Sequence, residues 1–155
     1  MLRKVPHRRG PGWNNVVVPS ITGRLEITLS VRDPASSAAW YSELLGMQET
    51  YDHTSDDGRM RYICLREPSS ELVLCLVGHA DNPGDEFNET GTGLDHLEFV
   101  VAQREDLAEW AARLDALGVE HSGVKEFDYT ANSMVTFRDP DSIQLEFFWR
   151  APADG

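Results

Sequence analysis

No stretch of this chain is apolar for long enough to cross a membrane, and the compact signatures of common catalytic classes are missing. There is no glycine-rich phosphate loop, no nucleophile elbow, no Cys-x-x-Cys and no His-Glu-x-x-His. Nucleotide hydrolysis on a P-loop, serine hydrolysis, thioredoxin-type exchange and zincin proteolysis therefore find no support. Basic residues are also scarce, with 14 Lys and Arg against 26 Asp and Glu and a net charge of −12. Four of the basic side chains, Arg3, Lys4, Arg8 and Arg9, crowd into the first ten residues, so the body is more acidic still. Such a body repels nucleic acid and anionic membranes and attracts cations. No long apolar run follows the basic start, which reads as a tail and not as a secretory signal; a cytoplasmic location is expected. Only two cysteines are present, Cys64 and Cys75, both in strand-like runs. They read as buried thiols, with nothing that requires a disulfide.

What the chain does have is an internal echo. Arg66-Glu67-Pro68-Ser69-Ser70-Glu71-Leu72-Val73-Leu74 recurs 72 positions later as Arg138-Asp139-Pro140-Asp141-Ser142-Ile143-Gln144-Leu145-Glu146. Glu26–Val31 and His96–Val101 form a second pair, each beginning 14 residues before a tryptophan, Trp40 and Trp110. A unit of about 70 residues is too long for a solenoid repeat, so two copies should pack as one pseudo-symmetric domain. In this alignment Glu26 faces His96 and Leu74 faces Glu146.

Each copy has the same order of elements. Ile27, Leu29 and Val31 alternate with Glu26, Thr28 and Ser30, a strand with one apolar face. Asp33-Pro34 predicts a capped helix start, and Gly46 its end. Three strands should follow near Gln48–Tyr51, Arg59–Leu65 and Glu71–Val77, with a turn at Asp56-Asp57-Gly58. The second copy predicts a strand at His96–Val101, a helix at Arg104–Leu117 and strands near Glu120–Val124, Ser133–Phe137 and Ile143–Trp149. The expected fold is α+β, with tandem βαβββ modules forming a curled mixed sheet around a cleft. A basic tail with a possible edge strand at Val16-Val17-Val18 occupies 1–22. Module one spans 23–78, a linker 79–93 and module two 94–150, with a short tail at 151–155.

Strand alternation assigns Glu26, Thr28, Ser30, His96, Glu98, Leu74, Leu76, Glu146, Phe148 and Arg150 to the face away from the helices. Taken singly, each polar member is an ordinary solvated residue. Glu26, His96 and Glu146 together, from three strands, are what a divalent cation would satisfy, with coordination positions left for water or substrate. Glu98 shares the face and is the candidate general base. Thr28, Leu74, Phe148 and Arg150 are candidate substrate contacts. His79 lies at the rim, whereas His7, His53 and His121 fall in tail, loop or strand-edge positions with no expected chemistry. Asp139 and Asp141 fall in ordinary turn chemistry.

Three stretches resemble the vicinal oxygen chelate superfamily, the glyoxalase/bleomycin resistance/dioxygenase family. They are Glu26 to Asp33 leading to Trp40-Tyr41 and Leu45-Gly46; Gly93-Leu94-Asp95-His96-Leu97-Glu98-Phe99; and Phe137 through Phe148. The resemblance implies paired βαβββ modules, a homodimer, and a metal held at inward strand positions. His96 and Glu146 match two of the family's usual ligands, while Glu26 stands where a histidine is usual and Leu74 where a second glutamate would be. Glyoxalase I activity is therefore not expected. A two-carboxylate site favours manganese, magnesium or ferrous iron over zinc. The implied function is a metalloenzyme acting on a small oxygen-chelating substrate by enolate or oxyanion chemistry, as a lyase, isomerase or dioxygenase. The alternative is a metal-free protein that binds a flat cationic antibiotic. Neither involves nucleic acid or a membrane.

Overall fold

The computed structural model describes residues 26–127 and 130–152. The expected edge strand at Val16–Val18 lies outside them. Module one runs β1 (Glu26–Ser30), α1 (Pro34–Leu45), β2 (Gln48–Thr54), β3 (Met60–Arg66) and β4 (Val73–His79). Module two repeats this with β5 (Leu97–Val100), α2 (Asp106–Ala116), β6 (Lys125–Glu126), β7 (Ser133–Arg138) and β8 (Gln144–Trp149). Each module makes its own four-stranded mixed sheet, ordered β1-β4-β3-β2 and β5-β8-β7-β6, with β1 and β5 at equivalent edges and parallel to their neighbours. Helix α1 starts where its sequence predicts. The Asp33 carboxylate accepts from the amides of Ala35 and Ser36, and Pro34 sits in the first turn, where its missing N–H costs nothing. Pro34 also presses on β4, since a Cβ added at Gly78 would come within 2.7 Å of its ring.

The expected strand at Glu120–Val124 is not continuous. His121 makes a lone bridge to Phe137, Gly123 takes a left-handed φ of 66°, and pairing resumes only at Lys125–Glu126. A residue at positive φ cannot stay in a ladder, so the strand breaks there.

Register corrects a second expectation. In module two Leu97 pairs with Leu145 and Glu98 with Glu146; in module one Ile27 pairs with Leu74 and Thr28 with Cys75. The structural counterpart of Glu146 is therefore Cys75, not Leu74. The ladders show why: Arg66 pairs with Val73, seven residues on, whereas Arg138 pairs with Gln144, six residues on. The first loop is one residue longer, and a slip of one turns every following side chain to the other face. Leu74 and Leu76 are accordingly buried in the core and not in the cleft, which removes Leu74 as a substrate contact.

The cysteines also differ from expectation. Cys64 on β3 and Cys75 on β4 are directly opposed and joined in a disulfide, with Cα atoms 4.0 Å apart. The bond lies on the face of the first sheet that carries Thr28.

The two modules share one apolar core. Phe147 stacks on Trp110 at 4.2 Å and on Phe137 at 4.9 Å, and Trp40 reaches Phe137 across the module boundary at 6.4 Å. The β7–β8 turn clamps onto module one. Asp139 accepts from Tyr41 Oη at 2.9 Å and from the amides of Asp141 and Ile143. Asp141 accepts from the Arg32 amide at 3.0 Å, Arg32 Nε at 2.8 Å and Ser37 Oγ at 3.2 Å. On the helix side Arg113 donates to the carbonyls of Glu43 and Leu44 at the end of α1.

Candidate metal centre

On the outer face of the second sheet, His96, Glu98 and Glu146 offer ligand atoms that all lie within 4.8 Å of one another. Local sequence explains the convergence. His96 immediately precedes β5 and alternates with Glu98 within it, and Glu98 pairs with Glu146 across a parallel ladder, so all three project to one side. The floor beneath is rigid, because Leu97, Leu145 and Phe147 are buried on the opposite face.

The histidine ring is held in a fixed orientation. Its Nδ1 is 2.7 Å from Asp95 Oδ1, which leaves Nε2 facing Glu146 Oε2 at 4.0 Å. A carboxylate on one ring nitrogen fixes the ring and makes the other nitrogen more basic, the usual second partner of a metal-bound imidazole. The Asp95 hydrogen bond, followed by the charges of Glu146, Asp95 and Glu98, holds the His96 proton above its ordinary range despite partial burial. Asp95 carried no role in the sequence reading; its signal was adjacency to a strand-start histidine.

Arg150 completes the outer wall. Its guanidinium is 3.3 Å from Glu98 Oε1 and lies 5.1 Å over the Phe148 ring. Phe148 is itself buried, in contact with Phe127. Val100, next along this face of β5, is 63% exposed.

Glu26 does not belong to this group within the chain; it sits at the start of β1, exposed, with Thr28 and Ser30 beyond it. The donor set of one imidazole and two carboxylates nonetheless fits a divalent cation, and among the described residues it is the one such cluster. His79 and His53 stay outside it. His121 pairs instead with Asp115 at 3.1 Å.

Twin βαβββ modules that share a core and carry an imidazole–carboxylate cluster on an outer sheet face define a small α+β protein built by duplication. The chain belongs to the Glyoxalase/Bleomycin resistance protein/Dioxygenase superfamily, whose model matches residues 23–147. A glyoxylase/bleomycin resistance protein/dioxygenase domain from Frankia sp. EAN1pec is 31% identical, with a TM-score of 0.75 over 85% of this chain and 100% of that one. The structure of SMU.1112c is 27% identical, with a TM-score of 0.66 over 79% and 95%. The fosfomycin resistance protein FosX from Listeria monocytogenes, complexed with Mn(II) and sulfate, shares the fold at 22% identity and a TM-score of 0.62, over 85% and 95%. No curated protein matches the chain.

Proposed function

We propose that the protein is a homodimeric, metal-dependent enzyme acting on a small substrate that chelates through two neighbouring oxygens. His96 and Glu146 of one copy and Glu26 of a second copy would hold the ion. Glu98 would serve as general base beside it. The observation that carries this is the His96–Glu98–Glu146 cluster, with Asp95 already orienting the imidazole. A bound divalent ion would stabilise negative charge developing on a substrate oxygen. The chain's own residues supply the rest. Glu98 would take the proton, Arg150 would pair with Glu98, and Phe148 would provide an apolar wall.

A second copy is invoked because the outer residues of both edge strands, Glu26, Thr28 and Ser30 on β1 and Glu98 and Val100 on β5, are exposed. The manganese in FosX supports a hard ion at a site of this fold, consistent with two carboxylates here.

Calorimetric titration of chelator-stripped protein with Mn2+, Mg2+ and Fe2+ tests the proposal, alongside H96A and E146Q. Binding by the parent and its strong weakening in both variants is expected. No binding of any of these ions overturns it, and tight, chelator-insensitive binding of a flat cationic drug would establish the sequestration alternative. Mixing E26Q with E146Q tests the shared site. Each hybrid dimer regains one intact set of ligands, so metal binding should reappear on mixing.

A further inference from the structure

The two sheets present the same set of outward positions with different chemistry. Ladder register matches Thr28 and Cys75 of module one with Glu98 and Glu146 of module two, and Glu26 with His96 one step before β5. In the shared site proposed above, three of the four equivalent outward positions would carry Glu26, His96 and Glu146. The fourth carries Cys75. Its sulfur is engaged with Cys64, and the pair is reachable from outside because Cys64 is half-buried while Cys75 is nearly covered.

We propose that Cys75 is a fourth metal ligand held in reserve by its bond to Cys64. Opening that bond would add a thiolate to the site and shift its preference from hard ions toward zinc or cobalt. A dithiol reductant supplies the two electrons and two protons. The Cys64–Cys75 bond breaks, both sulfurs become thiols, and the dithiol closes to its own disulfide. When an ion binds, Cys75 gives its proton to solvent and the sulfur becomes the donor. Cys64 has no such task; its bond to Cys75 withholds that sulfur from an ion until reduction. The inference rests on the metal site and shared dimer proposed above.

Cobalt titration of the full-length protein, oxidised or reduced with a phosphine that adds no sulfur of its own, reads the proposal directly. A near-ultraviolet sulfur-to-cobalt charge-transfer band is expected in the reduced chain, and in C64A without any reductant. It should be absent from the oxidised chain and from C75A. Zn2+ should bind the reduced chain about tenfold or more tighter than the oxidised one. Comparing the two redox states of the same chain removes dependence on either variant folding. Glu146-dependent cobalt binding without the band in the reduced chain overturns the inference and leaves the metal site standing. A band that survives in C75A but vanishes in C64A assigns the sulfur to the wrong cysteine and also overturns it. Loss of all Glu146 dependence in both redox states removes the metal site itself.

Discussion

Two pairs of carboxylates in module two have opposite fates. Asp139 and Asp141 in the β7–β8 turn are buried, and between them accept from six donors: Tyr41, Ser37, twice from Arg32, and the turn's own amides. Glu98 and Glu146 on the outer sheet face have a histidine and one loosely held arginine as charged partners. A carboxylate whose lone pairs are filled by the protein is part of the frame. One whose lone pairs are left open is available to a ligand. Position on the fold, more than residue type, separates structure from chemistry here.

Removing Asp139 should break the frame and spare the site. D139A leaves the Tyr41 hydroxyl and two amides without an acceptor, and urea denaturation should show a loss of about 3 kcal/mol with unchanged metal affinity in the folded fraction. The reverse holds for the open pair. E146Q should weaken Mn2+ binding by about a hundredfold, by loss of a direct ligand where even outer-shell changes cost 10–100-fold, while the denaturation midpoint of metal-free protein stays or rises.

The comparison extends to pH. Burial pushes the Asp139 carboxyl above its ordinary 3.8, against the opposing pull of its hydrogen bonds to Ile143, Tyr41 and Asp141. The native state therefore holds this proton more tightly than the unfolded chain. Its contribution to stability is fullest below about pH 3.8 and falls as pH rises through the raised native value, then stays level. D139N cannot titrate, so the difference in stability between D139N and the parent should shrink over that window in favour of the variant. A difference that grows with pH would reverse the assignment. Smallest of all is R150Q. The ion pair with Glu98 is largely exposed, so stability should move by less than about 0.5 kcal/mol, and Mn2+ affinity should rise slightly in titration as Glu98 is freed.

Much of the scaffold was legible from residues alone. The Asp33-Pro34 start of α1, the alternation of β1 and β5, and the paired modules follow from local rules. His96, Glu98 and Glu146 converge because alternation and ladder pairing both act on them. What escaped was of another kind. An ungapped echo from Arg66 to Leu74 hid one extra loop residue, and that residue exchanged the faces of Leu74 and Cys75. The same shift concealed the disulfide, since Cys64 and Cys75 oppose each other only in the true register. Asp139 and Asp141 looked like turn residues because their partners, Tyr41 and Arg32, lie about a hundred positions away. Gly123 broke a strand that composition alone would have continued.

The fit of Pro34 against Gly78 carries a consequence for how this chain can vary. Any side chain at 78 must push the first turn of α1 outward, and Tyr41 lies on the same buried face of that helix two turns further along. A single methyl at the end of β4 would thus be felt at the Asp139 clamp in the other module, through a rigid rod and without any contact of its own there. Drift at 78 and at 34 should therefore occur together or not at all.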